Sequence, residues 1–465
     1  MQESAPVERS AKHRGAYPTP AWLVDDLVRQ TVPPVIPGQR ITVLDPACGD
    51  GRFLLAAAEL LLARGAVPTL RGVDVDPDAV ALARRRLDGL AIAPELIVAD
   101  ALADDVSVLG AGSADVVVGN PPFLSQLATA TSRGGASGHG GGPYADAAAE
   151  FLALSVGAAR RDGGRVGLVL PQSVLASRDA APIRAEVDRL AAMRWSWWSP
   201  RPVFEAQVLV CALVFERVTP PRRASTLPWT SVVTDALGVP AVPRLRTDGR
   251  LADHAYLTAN FRDQYYGVVP AVVDEGRGPP LITSGLIDPG RCRWGQRPVT
   301  YARRRHQRPR VELERLPSAM QRWANALLVP KVLVANQTRV IEAVVDAAGE
   351  WVPGVPVITA RRRADGGRDA RELWDVAAVL TSPVASAWAW HHAAGTGLSA
   401  RSLRLGPRWL ADLPWPHGSL AAAVEALRAG EVVETGRAVS TAYGLDRSTL
   451  DAADLHAWWQ RNLPA

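Results

Sequence analysis

Four residues of this chain have side chains suited to holding a polar, charged ligand, and each closes or follows a short apolar run: Asp45, Asp74, Asp100 and Asn120. Carboxylates accept hydrogen bonds and attract cations, and a side-chain amide both donates and accepts. Around the first of them the chain reads Val43-Leu44-Asp45-Pro46-Ala47-Cys48-Gly49-Asp50-Gly51-Arg52-Phe53. This is a strand passing through a turn of small residues into a helix. The glycines permit positive φ and a close approach of ligand to backbone. The helix start adds unpaired N–H groups and a field that favours an anionic carboxylate. The spacing is neither GxGxxG nor GxxxxGK[ST]. An acidic residue at the strand end, where a pyrophosphate would otherwise approach, favours a positively charged ligand over a dinucleotide.

Asp74, in Gly72-Val73-Asp74-Val75-Asp76-Pro77, falls where an acidic residue can accept from both hydroxyls of a ribose. Asp100, followed by Ala101, is placed to accept from an adenine amino group. Together with the small-residue turn the set reads as a site for S-adenosylmethionine. Its expected contacts are Asp45, Ala47, Cys48, Gly49, Gly51, Phe53, Asp74, Val75, Asp100 and Ala101. Any one of these aspartates alone would be read as a turn residue; three at successive strand ends beside a glycine turn favour the ligand. Cys48 is a small residue inside the turn with nothing near it to activate a thiolate. Downstream, Val116-Val117-Val118-Gly119 runs into Asn120-Pro121-Pro122-Phe123. That strand end offers an amide, two ring residues without N–H and a flat apolar face, a rigid grip for a planar amino-bearing group.

The elements that must position these residues are legible from periodicity. Strands are expected at 41–44, 70–75, 95–99, 114–119, 165–170, 193–198 and 208–216. Helices are expected at 52–64, 77–87, 145–161 and 181–190, with a further one at 20–30 that has Thr19 as N-cap and Pro20 in its first turn. Strands alternating with helices imply a doubly wound α/β sheet, and the missing helix before the seventh strand implies that this strand is antiparallel. The chain has 465 residues, room for more than one domain. With 48% hydrophobic and 21% charged residues it has the balance of a soluble globular protein. A net charge of +5 permits a nucleic-acid partner without requiring one. Cys48, Cys211 and Cys292 lie far apart with no CxxC pair, which excludes a disulfide framework and fits a reducing cytoplasm. The histidines show no HExxH spacing, so no metal is expected. The polar start of the chain is no secretory signal, and the apolar runs are too short to span a bilayer.

With these motifs in this order, the chain resembles the gamma-class DNA adenine-N6 methyltransferases of the TaqI type. The likeness is specific over about residues 14 to 216. It implies a Rossmann-like seven-stranded methyltransferase sheet followed by a mixed α+β DNA-recognition domain, with double-stranded DNA as partner. It also implies that Gly15-Ala16-Tyr17-Pro18-Thr19-Pro20 closes over the methionine end of the cofactor, so Tyr17 and Thr19 join the cofactor set, as does Asn120. Adenine N6 is conjugated with its ring and is a poor nucleophile. The Asn120 side-chain oxygen and the Pro121 carbonyl can each accept one N6 hydrogen and concentrate the lone pair. Asn120, Pro121, Pro122 and Phe123 form the expected catalytic set. Phe123 would stack on a flipped base where the family more often has Tyr. Phe204, in Val203-Phe204-Glu205, matches a second aromatic at the edge of that base, a core position being the alternative. No cysteine follows a proline, which argues against cytosine-C5 chemistry.

Residues 1–217 are expected to form the methyltransferase domain, 218–229 a proline-rich linker and 230–465 a target-recognition domain. Candidate DNA contacts there are the basic run Tyr301–Arg310 and Asn336-Gln337-Thr338-Arg339 after a strand at 331–335. Leu380–Pro383 and Trp409–Pro416 resemble scaffold pieces of such a domain. The family implies a restriction-modification or phage-defence setting, in which a nuclease would be a separate protein. Glutamine-N5 protein methylation and rRNA base methylation remain the rival uses of the same grip, and a specificity module without catalysis is a third reading.

Overall fold

The structure, a computed structural model, describes residues 18–103, 109–123, 138–142, 145–204, 208–221, 228–260, 262–363, 371–445 and 450–464. Tyr17, Glu205, most of the glycine-rich stretch after Phe123 and much of the expected linker lie outside them. The chain divides into two compact units, Met1–Val232 and Val233–Ala465.

The first unit is built on one sheet of seven strands: β1 (Arg40–Asp45), β2 (Val67–Asp74), β3 (Glu95–Val98), β4 (Val116–Gly119), β5 (Arg165–Pro171), β6 (Ala191–Trp198) and β7 (Val210–Arg217), in the order β3-β2-β1-β4-β5-β7-β6. Neighbours from β3 to β5 are parallel, and β7 runs antiparallel to both β5 and β6. The strand inferred to be antiparallel from its missing helix is therefore so. Strand β4 is apolar and buried along its whole length because both of its faces are covered. Helices α1 (Ala21–Thr31), α2 (Arg52–Ala63), α3 (Pro77–Leu87), α4 (Ala147–Ala158) and α5 (Ala181–Leu190) interleave with them. Helix α1 buries Leu23, Val24, Leu27, Val28 and Thr31, and α2 buries Phe53, Leu54, Ala57, Ala58 and Leu61, each set forming one helical face. These side chains join Ile41, Val43, Val116 and Val118 in one core. Each fully buried leucine there contributes about 1.5–3 kcal/mol. Asp146 caps α4, its carboxylate accepting from Ala148 N at 2.9 Å. The expected cap on α1 is not made: Pro20 holds the N-cap position with no side-chain bond, because the Thr19 hydroxyl is engaged elsewhere.

The strand order reverses between β1 and β4. In open α/β sheets such a switch leaves a crevice beyond the carboxyl ends of the strands. Val43 pairs with Val116 and Leu44 with Val117, so Asp45 and Gly119-Asn120 leave the sheet side by side at that crevice.

The second unit holds an antiparallel sheet of four strands, β8 (Ala255–Ala259), β9 (Lys331–Val334), β10 (Ala343–Asp346) and β11 (Ile358–Arg362), ordered β10-β9-β11-β8. Helices α6 (Arg371–Leu380), α7 (Pro383–Ala393), α8 (Ala421–Ala429), α9 (Val432–Ala442) and α10 (Leu450–Asn462) follow. Lys331 is fully buried and pairs with Asp346, which also accepts from the backbone N–H groups of Gly349, Glu350 and Trp351. Burial pulls the Lys331 amine down, and the hydrogen bond and charge of Asp346 resist. Two of the proposed base readers are corrected here. Asn336 is buried with its amide donating to Leu405 O at 2.6 Å, and Thr338 is buried in the strand pair with Leu403. One face of that segment is thus consumed by packing, while Gln337 stays half-buried and Arg339 exposed. Ser382 caps α7 through Ala385 N, and Trp415 stacks on His254 at 3.8 Å, which are scaffold roles.

Candidate active site

The turn after β1 is stitched to the neighbouring strand by its own backbone. Cys48 N donates to Val73 O at 2.8 Å, and Gly49 N donates to Asp74 Oδ2 at 2.8 Å. Gly51 sits at the N-cap of α2 in the left-handed region, φ 78°, and a Cβ there would come within 3.0 Å of Ala83. Only glycine meets both requirements without strain. The loop is thus held in shape before any ligand arrives. The Cys48 side chain packs in the core below it, where burial pushes the thiol far up, and Phe53 is likewise a core side chain. From these two residues only the backbone faces the turn.

The charges around the turn are unequal. Arg52 grips Asp50 through Nε at 2.9 Å and Nη2 at 2.6 Å, and Arg86 adds an ion pair at 2.9 Å. Burial opposes ionisation of Asp50, but the Arg52 bonds and the two arginine charges hold its carboxyl below the usual range. Asp45 has no such relief. It is 1% exposed, its Oδ1 accepts only from Ala47 N at 3.1 Å, and its Oδ2 has no hydrogen-bond partner among the described residues. Burial, with added repulsion from Asp74 and Asp50, holds its carboxyl well above the ordinary range. A buried carboxylate that lacks a counter-charge is costly and calls for a cation or donor.

Asp74 and Asp100 both serve turns. Asp74 accepts from Gly49 N and Asp76 N, and Asp100 accepts from Leu102 N at 3.0 Å. Val75, beside Asp74, is 59% exposed, and Val98, at the end of β3, is 52% exposed. Ala101 is buried. Two exposed valines flanking the strand ends are an apolar face of the kind a base would cover. Val75 was expected there; Val98 was not, since nothing in a strand of four residues marks its last side chain as outward.

On the other side of the switch point, Gly119 lies against Asp45: a Cβ on Gly119 would stand 2.6 Å from Asp45 Oδ1. The next residue, Asn120, donates from Nδ2 to Thr19 Oγ1 at 3.0 Å. Thr19 is 2% exposed, and its carbonyl accepts from Arg52 Nη1 at 2.6 Å. Arg52 therefore links the Asp50 carboxylate of the turn to the residue that orients Asn120. That role of Arg52 has no signal in the sequence beyond its position after the turn. Pro121 is buried, and Pro122 and Phe123 are half-buried. The rings of Phe123 and Phe204 meet at 6.0 Å and a 55° tilt. Phe204 keeps 9% of its surface exposed, so Phe123 presents the more open face. Gln172, fully buried just after β5, donates to Ser199 O and Val210 O and so ties the end of β6 to the start of β7. Among the described residues no cluster of His, Cys, Asp and Glu could hold a metal ion, and no helix is long and apolar enough to cross a membrane.

The strand order, the antiparallel β7 and the turn at the switch point define the first unit as a Rossmann-like methyltransferase fold. More particularly, residues 2–222 match the model of the family described as N-6 DNA Methylase, which agrees with the likeness to adenine-N6 methyltransferases drawn from the motifs. Among solved structures, a modification subunit of a type I restriction enzyme from Vibrio vulnificus YJ016 is 22% identical, with 47% of this chain and 51% of that chain covered and a TM-score of 0.37. The M protein of the type I restriction enzyme EcoKI is 22% identical over 45% of this chain and 46% of its own, at a TM-score of 0.33. A protein of Listeria monocytogenes described as a class I S-adenosylmethionine-dependent methyltransferase is 21% identical, covering 47% and 68% of the two chains at 0.36. The matched part spans about half the length of the two restriction-enzyme subunits. At such identities and TM-scores these likenesses carry no argument about activity. A search of curated proteins finds no match to the chain.

Proposed function

We propose that the first unit transfers a methyl group from S-adenosylmethionine to N6 of an adenine flipped out of duplex DNA, and that the second unit selects the DNA sequence. The observation that carries this reading is the junction at the switch point. An amide whose orientation is fixed by Thr19 stands one residue beyond the glycine that abuts the Asp45 carboxyl. The turn fits the cofactor on its own chemistry: a buried carboxyl without a counter-charge suits the cationic end, Asp74 the ribose, and Val75 and Asp100 the adenine. When bound, the cofactor supplies an electrophilic methyl group on a sulfonium. Tyr17 belongs to the proposed set through the family likeness alone.

Because Thr19 engages the Nδ2 end of Asn120, the amide oxygen is directed at the substrate side, where it accepts one N6 hydrogen. The Pro121 carbonyl accepts the other. Both acceptors draw the amino group toward tetrahedral geometry and expose its lone pair. Phe123, backed by Phe204, stacks on the base. A base in a duplex cannot reach such a site without leaving the stack. We place the activity in a restriction-modification or phage-defence system, with any nuclease on a separate protein.

The test is transfer of labelled methyl groups to DNA of varied sequence, followed by mapping of the modified base. N6-methyladenine at one recurring sequence is the expected product; label on protein or rRNA and never on DNA would overturn the assignment. The Thr19 hydrogen bond makes a second expectation. Thr19→Val removes the acceptor and should lower the transfer rate about fivefold, the factor for a hydrogen bond of roughly 1 kcal/mol. Thr19→Ser should restore it. Equal rates for the Val and Ser variants would refute the orienting role.

A further inference from the structure

The basic run of the second unit is a β-hairpin with an unusual tip. Val299–Tyr301 pairs antiparallel with Arg304–His306, Tyr301 opposite Arg304, leaving a loop of two residues, Ala302 and Arg303. Both have positive φ, 49° and 64°, and they are the non-glycine residues with positive φ among those described. A two-residue loop of this type is ordinarily filled by Asn-Gly or Asp-Gly, because the left-handed region strains residues that carry a Cβ. The strained turn is held from below. Tyr301 and His306 are buried, Tyr265 Oη accepts from Ala302 N at 3.1 Å, and Asp274 accepts from Gln307 N and Arg308 N. Arg308 and Arg310 lie over the Trp294 ring at 5.3 and 4.6 Å.

Above this base, Arg303, Arg304 and Arg305 are all exposed and have no acidic partner among the described residues. Some other arginines of the same unit are neutralised: Arg293 and Arg297 both pair with the buried Asp288, and Arg315 pairs with Glu312. Three adjacent unneutralised guanidiniums on a rigid, narrow ribbon are suited to bidentate contacts with phosphate oxygens. A two-stranded ribbon is also of a size that the major groove of duplex DNA admits.

We infer that the hairpin at residues 299–306 grips the phosphate backbone of duplex DNA through Arg303, Arg304 and Arg305. It rests on the proposed DNA substrate and supplies affinity that does not depend on sequence. The experiment measures binding of the full chain to a duplex of arbitrary sequence across a salt series. Removing one arginine–phosphate interaction should reduce the slope of log affinity against log salt by about 0.9. The triple variant Arg303→Gln, Arg304→Gln, Arg305→Gln should therefore lose roughly two to three units of slope and about a hundredfold in affinity at low salt. Arg303→Gly relieves the strain at the tip while removing one charge, so it should fold at least as well as wild type yet lose about one unit of slope. A comparison variant removes three exposed charges elsewhere in the unit (Arg322, Arg408 and Arg461, each to Gln) and should keep the wild-type slope. If the hairpin triple variant keeps the wild-type slope, or the comparison variant loses as much, the hairpin proposal is overturned while the DNA reading stands. A wild-type chain with no salt-dependent duplex binding overturns the DNA reading itself.

Discussion

Replacing Asn120 with alanine is expected to lower methyl transfer by about a hundred- to a thousandfold, the range seen when one directed hydrogen-bonding group is removed from a reacting centre. Alanine keeps the backbone, so the Pro121 carbonyl and the Phe123 ring should stay in place. What goes is the acceptor that draws out the N6 lone pair, together with the bond to Thr19. The affinity for S-adenosylmethionine should change by less than about tenfold, a difference of roughly 1.4 kcal/mol. Single-turnover rates and cofactor titration measured on the same preparation separate the two. A variant that transfers within about tenfold of wild type would remove Asn120 from the catalytic role.

The second large effect concerns Asp45. Its carboxyl is buried and held well above the ordinary range, first by burial and then by Asp74 and Asp50. In the free protein, between the unfolded value and the raised folded value, the native state keeps a proton that the unfolded chain has lost. The number of protons bound by the unfolded state minus that bound by the native state is then negative, so this group's contribution to stability falls as pH rises through that window. A cationic ligand binds the ionised form, so cofactor binding should release a proton and strengthen as pH rises. Asp45→Asn should weaken binding of S-adenosylmethionine about ten- to a hundredfold, the worth of a charged hydrogen bond. It should also abolish the proton release. Calorimetry in two buffers of different ionisation enthalpy reads that release directly. Binding that is independent of both pH and the substitution would show that the carboxyl faces no cation.

The sheet of the first unit was legible because its signals are local. Apolar runs of four to eight residues alternate with amphipathic helices, and glycine turns mark the strand ends. All seven strands fall where periodicity puts them, within a few residues. The site was legible for the same reason, since Asp45, Asp74 and Asn120 each sit at a strand end. Contacts between distant segments were not. Thr19 has the residue type and position of a helix cap, and only the folded chain shows its hydroxyl against Asn120, a hundred and one residues away. Asn336 and Thr338 look like exposed readers beside a strand, but a backbone from around residue 404 covers them. The second unit is legible in part. Strands expected at 331–335 and 340–346 and helices expected at 370–381, 385–392 and 419–429 from local pattern fall within a few residues of those places. The rest is harder. Strands β8 and β11 carry no clean alternation, and they become a sheet only through pairing across about a hundred residues. Its last two helices, α9 and α10, gave no expectation at all, because Gly436 and scattered polar residues blur their apolar faces.

Arg52 is bonded at once to a carboxylate of the glycine turn and to the peptide oxygen of the residue that holds Asn120. In the proposed reaction this makes the seat of one reactant and the grip on the other a single mechanical unit. Any free energy by which a filled turn steadies the amide must return, equal in size, as tighter cofactor binding once the adenine is held. The two reactants would then bind as partners in a cooperative pair, and the selectivity for the base would reach back into the apparent affinity for the methyl donor.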